Sequence, residues 1–250
     1  MKTLFLAWQN PLDRTWFPIG RLTFDGTSYQ FVYIQGIVAA QQQCGFRSLP
    51  SFPELDLVYQ SPELFPLFAN RLLRRSRPDY ADFLRWLNIS THQDDPMAML
   101  AKSGGQRATD TLFVFPCPEP DENGFYHFHF FAQELLNLPP LSANRISRLQ
   151  MGEVLHLVGD PENPYDRRAL MLFTEDDYLV GYCPRYLSDV GFEVSRQSLS
   201  LIDVVVERIN MAPAPLQFRL LCHMTVQMSQ EERPFLGAMY QPVSAMKAAA

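Results

Sequence analysis

The sequence predicts a mainly β protein of the α+β class, built as a small α+β lobe followed by a small β-barrel. Three observations predict it. Twenty prolines, nineteen phenylalanines and ten tyrosines favour short extended elements over a helical bundle. Period-two alternation recurs, first around Asp25-Gly26 and then in a succession of short runs beyond Gly124. Between the halves, Pro116–Gly124 is acidic and proline-punctuated, the composition of a connector. The expected organisation is a lobe over 1–116, a linker over 117–124, a barrel over 125–228 and a flexible tail over 229–250.

Thr3–Trp8 reads as a first strand rather than a leader, because it runs into Gln9-Asn10-Pro11 without a small-residue cleavage site. Residues 16–35 read as a hairpin. Phe17, Ile19 and Leu22 precede the Asp25-Gly26 turn, and Tyr29, Phe31 and Tyr33 share one face of the return strand. Leu49-Pro50-Ser51-Phe52-Pro53 is extended, since each pre-proline residue is pushed out of the helical region. Ser61-Pro62 is expected to open a short helix, with Ser61 as its N-cap. Pro78-Asp79 starts a second helix with Phe83, Leu84 and Leu87 on one face. Asp95-Pro96 starts a third through Met97, Met99 and Leu100, stopped by Gly104-Gly105. Thr111–Phe115 is a closing strand.

The second half reads as six strands: Phe125–Phe131, Val154–Val158, Ala169–Phe173, Tyr178–Tyr182, Ile202–Ile209 and Phe218–Val226. A helix is expected at Pro184–Val190. So many short strands with one helix suggest a closed or partly open barrel.

Composition excludes several classes. A net charge of −6 argues against a protein that coats duplex by neutralising many phosphates, so any nucleic-acid contact must be local. Cys44, Cys117, Cys183 and Cys222 form no short-spaced pair, which fits reduced thiols of a cytoplasmic protein better than disulfides or a zinc knuckle. No run approaches the roughly eighteen apolar residues of a membrane span, so no membrane association is expected. The chain has no phosphate-binding GxxxxGK[ST] loop, no HRD loop and no GxSxG elbow, and it is expected not to be an enzyme. Cys183 alternates with apolar neighbours and reads as core. His127 and His129 point to one face of a strand, and Glu134 or His156 could join them. No third ligand stands at a diagnostic spacing, so neither metal nor cofactor is expected.

The sharpest segment is Asp160-Pro161-Glu162-Asn163-Pro164-Tyr165-Asp166, followed by Val180-Gly181-Tyr182-Cys183-Pro184-Arg185. Asn163-Pro164-Tyr165-Asp166 is a rigid turn that groups an amide, a phenol ring and a carboxylate, with Arg185 arriving from the next loop. Such a set offers a π-face for a base, an acceptor for a hydroxyl and a cation for a phosphate. Asn and Asp beside a proline also build turns through their own backbone, so Asn163 and Asp166 equally suit a role in the hairpin, and Arg185 a surface ion pair.

This NPYD turn and the "VGY-x-PR" strand end resemble the HIRAN domain, over roughly Phe125 to Gln227. The resemblance implies an OB-like barrel that grips the 3′ end of single-stranded DNA. It implies that Asn163, Tyr165 and Asp166 contact the terminal nucleotide and its 3′-hydroxyl, with Tyr182 and Arg185 near the phosphate. DNA-gripping members carry an arginine and two tyrosines on the preceding strand. The comparable Asn144–Leu149 offers Arg145 and Arg148 without the aromatic pair.

The first half, over about residues 15–116, resembles the first subdomain of HipA-type toxin kinases. It does so through Ile19-Gly20-Arg21-Leu22, Leu64-Phe65-Pro66-Leu67-Phe68 and Asp95–Leu100. In that family the subdomain is a non-catalytic lobe beside a kinase. The resemblance implies an interaction module with a kinase-toxin, nuclease or helicase as protein partner. Arg71, Arg74, Arg75 and Arg77 form the densest basic run, either a phosphate or partner patch or a solvated helix end. The leading expectation is a binding protein for single-stranded DNA or DNA 3′ ends. The alternative is an adaptor that docks on a protein partner.

Overall fold

A computed structural model describes residues 1–93, 95–195, 202–228 and 233–243. The fold is α+β and falls into two units. The first comprises Met1–Tyr80, Asp94–Cys117 and the segment from Pro234 onward, and the second Ala81–Gln93 with Pro118–Arg233. The chain therefore passes to the second unit inside the acidic connector. A helical segment of the first half also belongs to the second unit, and part of the presumed tail belongs to the first.

The first unit is a five-stranded antiparallel sheet in the order β4-β3-β2-β1-β5, with β1 Lys2–Gln9, β2 Trp16–Phe24, β3 Tyr29–Tyr33, β4 Tyr59–Ser61 and β5 Leu112–Pro116. The β2–β3 hairpin turns where Asp25 Oδ1 accepts from the backbone N–H of Thr27 and Ser28, at 2.7 and 2.8 Å. The Ser28 and then the Thr27 bond hold that carboxyl well below the usual range. Leu6, Ile19, Leu22, Phe31 and Tyr33 form the core with Phe52 and Phe68. Burial raises the Tyr33 phenol to about 12. It donates to Phe52 O at 2.7 Å and accepts from Leu49 N–H at 2.8 Å.

Three departures from expectation have local causes. Helix α1, Gly36–Cys44, follows β3 directly, where an ideal Cβ on Gly36 would stand 1.9 Å from the Pro18 carbonyl oxygen. Only glycine lets the helix start against that strand. Ser61 caps no helix: it ends β4 opposite Tyr29, and helix α2 begins at Pro66 and runs to Ala69. The flexible tail is corrected over 234–243. Gln35 N–H donates to Gln241 O at 2.8 Å, Val243 N–H to Tyr33 O at 2.9 Å, and Phe235 packs on Phe5 and Phe115. Burying those rings outweighs ordering the segment. The rest of 229–250 lies outside the described residues.

The second unit carries helix α3, Tyr80–Trp86, whose Phe83 and Trp86 rings meet Phe218. (Helix α4, Pro96–Ser103, capped by the Asp95 carboxylate, belongs to the first unit.) Its strands are β6 Phe125–Phe131, β7 His156–Gly159, β8 Leu170–Phe173, β9 Leu179–Tyr182, β10 Ile202–Ile209 and β11 Leu220–Gln227. They form two three-stranded sheets, β10-β11-β6 and β7-β8-β9. Isolated bridges join them at both edges, Gln133 to Tyr182 and Val154 to Val205. The hydrogen-bonded order thus runs as a circuit of six strands, closed at two corners by single bridges. Phe128, Phe130, Cys222, Met224, Val204 and Val206 face inward and are buried, while His127, His129 and His223 alternate outward. Burial raises the Cys183 and Cys222 thiols, and none of the four cysteines is in a disulfide. Helix α5, Pro140–Ile146, was not expected, and helix α6, Arg185–Ser195, is longer than expected.

Candidate nucleic-acid interface

The loop between β7 and β8 is held by its own side chains. Asn163 Oδ1 accepts from the backbone N–H of Tyr165 and of Asp166, both at 3.1 Å, and its Nδ2 donates to Asp160 Oδ2 at 3.1 Å. Asp166 Oδ1 accepts from Arg168 N–H at 2.9 Å, and its other oxygen pairs with Arg185 Nη1. Asp160 N–H and Ala169 O close the loop base at 2.9 Å. The Tyr182 hydroxyl donates to Asp160 Oδ2 at 3.1 Å, so the end of β9 braces the loop from its neighbouring strand. Burial, and then that bond, raise the Tyr182 phenol above its ordinary value.

The structure therefore brings Asn163, Tyr165, Asp166, Tyr182 and Arg185 together but divides their roles. Asn163 spends its amide on the loop, and Asp166 and Arg185 neutralise each other. Tyr165 is 61% exposed. Arg167 and Arg168 stand exposed beside it. Sequence reasoning missed these two cations and the brace Asp160. The Arg-Arg pair directly after the NPYD turn was the signal for the first. The contact of Asp160 with Asn163 is local, but its brace from Tyr182 had no local signal, because strand pairing brings that partner.

Arg145 and Arg148 do not join this loop. The segment expected to match a strand is helix α5 and the turn after it. Arg145 Nε donates to both Asp176 oxygens at 3.0 Å, and its Nη2 to Glu153. Asp176, then Glu153, hold the guanidinium protonated, while Arg145 holds the Asp176 carboxyl down to about 2. With Arg148, Glu175 and Asp176 they line an open groove of about 880 Å³ at the β8–β9 turn. That turn lies at the far end of β8 from the Asn163 loop. With Glu153, Glu175 and Asp176 against two arginines, the groove is a poor phosphate seat.

The basic run of the first unit is likewise not one patch. The Arg71 side chain is 1% exposed and makes a bidentate pair with Asp110, at 3.1 and 2.7 Å, plus a 2.9 Å bond to Gly105 O. Arg77 pairs with Asp79 at 2.8 Å. Arg74 and Arg75 are exposed in a turn-rich stretch past α2, not on a helix end. Among the described residues no three His, Cys, Asp or Glu side chains already stand as a metal-holding set. No described helix is long and apolar enough to cross a membrane.

A ring of short strands that carries an exposed aromatic side chain and two cations on a braced loop defines a small β binding module. Residues 135–229 match the HIRAN domain family. The match begins after β6 and contains the whole of the Asn163–Arg185 site. HIRAN domains are DNA-binding modules, which supports nucleic-acid binding by this unit. Among solved structures, the chain is similar to the HIRAN domain of human HLTF. That likeness is 22% identical, covers 47% of this chain and 86% of that one, and has a TM-score of 0.33. A structural-genomics protein from Lactobacillus plantarum is 16% identical over 42% of this chain and 100% of its own, with a TM-score of 0.30. No curated protein matches the chain. The HIRAN match leaves the first unit's strands outside it, so the resemblance of that half to the HipA subdomain rests on its sequence pieces alone.

Proposed function

We propose that the second unit is a non-enzymatic module that binds single-stranded DNA and favours a 3′ end, through the loop that bears Tyr165. The observation that carries the reading is the braced Asn163–Asp166 turn with the Tyr165 ring exposed at its apex. A base stacks on that ring, and Arg167 and Arg168 meet the flanking phosphates. Asn163, Asp166, Arg185, Asp160 and Tyr182 act as the frame that presents them. A 3′-hydroxyl reaches the site through the outer oxygen of Asp166 by competing with Arg185, which makes end preference a matter of exchange within an ion pair. Capture of free ends suits genome maintenance or defence against foreign DNA.

The test is fluorescence anisotropy with matched oligonucleotides: single strands ending in a 3′-hydroxyl or a 3′-phosphate, and a blunt duplex. Tightest binding to the 3′-hydroxyl strand, weakened by Tyr165→Ala, is expected. Equal binding to all three, or no loss in Tyr165→Ala, would sink the reading.

A further inference from the structure

The outer face of β6 and β11 carries a row of imidazoles that the loop site does not use. Register places His223 directly opposite His129 and one step from His127. His129 and His223 stack at 4.6 Å with planes 7° apart, and His127 and His223 lie 5.2 Å apart at 28°. Each end of the row is held by a carboxylate. His127 Nε2 faces Asp121 Oδ2 at 3.1 Å, and His129 Nδ1 faces Glu207 Oε2 at 2.5 Å. Glu207 sits in the register shift between Val206 and Arg208, a bulge that turns its carboxylate onto the histidine row, where Asn88 Nδ2 also reaches it at 2.7 Å.

The decisive contact is between His127 Nδ1 and His223 Nε2, which stand 3.0 Å apart. A carboxylate can only accept, so His127 Nε2–H donates to Asp121, and in the neutral ring this leaves a lone pair on Nδ1 facing His223. Such an outer carboxylate on an imidazole is the arrangement that orients metal-ligating histidines. Two nitrogens bound to one tetrahedral Zn²⁺ at about 2.0–2.1 Å stand roughly 3.3 Å apart, so the pair parts by a few tenths of an ångström and both rings turn until their lone pairs meet off the line between them. The side chains are partly open to solvent, with His127 36% and His129 38% exposed. Reading the strand alone offered Glu134 or His156 as companions for His127. Pairing of β6 with β11 supplies His223 instead.

We propose that His127 Nδ1 and His223 Nε2 bind one divalent metal ion of the zinc class, with Asp121 as the positioning carboxylate and water in the remaining positions. Binding needs a lone pair on both nitrogens, so the hydrogen that lies between the two neutral rings moves to the other nitrogen of His223, with no net proton released. The metal ties β6 to β11 on the sheet's outer face, and the site stands independently of the DNA-binding reading.

The experiment uses the full, untagged chain stripped of metal, titrated with Zn²⁺ by calorimetry and with Co²⁺ by its visible absorption. Saturation at one equivalent is expected, with Zn²⁺ displacing Co²⁺. His223→Ala abolishes the signal. Asp121→Asn keeps an oxygen for the turn bonds from Asn123 and Phe125 but opposes an N–H to His127, and weakens the metal about ten- to hundredfold. Absence of saturable binding would overturn the proposal, as would undiminished binding in either variant. Should His223→Ala fail to fold, Asp121→Asn alone decides.

Discussion

Replacing Asn163 with alanine separates two jobs that a residue of this loop can have. The resemblance to DNA-gripping domains implies contact with the terminal nucleotide, whereas the structure spends the side chain on the loop. Three hydrogen bonds are lost: two that Oδ1 accepts from backbone N–H groups and one that Nδ2 donates to Asp160. At about 1 kcal/mol net each, discounted because the loop is partly exposed and water replaces some, the cost is about 1–2 kcal/mol. That lowers Tm by roughly 2–8 °C for a chain of this size. Affinity for a single strand falls too, because a loosened loop holds the Tyr165 ring in place for only part of the time. Tyr165→Ala is the mirror case. Its exposed ring contributes little to folding, while losing a stacked base costs about 1–3 kcal/mol, a roughly five- to hundredfold rise in Kd. Thermal unfolding and anisotropy on the same two variants make the comparison. If Asn163→Ala melted like the parent yet bound weakly, the amide would be touching the nucleotide, and the frame argument would be wrong.

Asp110→Ala strands the buried Arg71 guanidinium and should cost about 3 kcal/mol or more in urea unfolding, the usual penalty for half of a buried pair. An unchanged midpoint would mean that water reaches the arginine. Gly181 has φ +142°, and an added Cβ would meet Ala132 Cβ at 2.9 Å and Gln133 O at 3.1 Å, so Gly181→Ala should cost about 1–3 kcal/mol and loosen the Gln133–Tyr182 corner, seen as faster amide exchange there. Asp176, held down to about 2 by Arg145, lies below its ordinary 3.8. Its stabilisation is complete above that ordinary value and is lost as the pH falls toward 2, so Asp176→Asn and the parent should converge in stability across that window. With two cations at the strand, log K should fall with log salt at a slope of about −1 to −1.5, and a slope several times steeper would point to a broader basic surface.

The parts of this fold that could be read from the chain are those with local causes. The β2–β3 hairpin combined period-two alternation with an Asp-Gly turn whose carboxylate caps its own backbone. The NPYD loop was legible for the same reason: Asn163 and Asp166 bond within a few residues of themselves. Helix α1 was not. Gly36-Ile37-Val38 continues a strand-like run, Gln35 provides no side-chain cap, and the helix depends on packing against Pro18. Ser61-Pro62 carried a helix signature that pairing with Tyr29 overrode, although its hydroxyl still accepts from Glu63 N–H at 3.1 Å. Helix α5 follows Pro139-Pro140, with Pro140 at its first turn, a signal hidden by the expectation of a strand there. At the site, Arg145 was placed by homology with a strand and was drawn instead to Asp176, two charges whose meeting depends on the β8–β9 hairpin.

Tyr182 explains why so sparse a site can still bind. Its backbone exchanges two hydrogen bonds with Gln133, at 2.8 and 3.1 Å, which closes one corner of the six-strand circuit. Its hydroxyl holds Asp160, and Asp160 in turn holds Asn163. The corner that joins the two sheets is thus also the abutment of the loop that bears Tyr165, and the loop inherits its order from the ladder. A chain of net charge −6 gains little from long-range attraction to phosphates. What it can reduce is the entropy lost when a ring and two arginines are fixed against a strand, and a loop already fixed by folding leaves little of that loss to binding. On this account the half-buried links from Gln133 through Tyr182 and Asp160 to Asn163 matter to affinity as much as the residues proposed to meet the DNA.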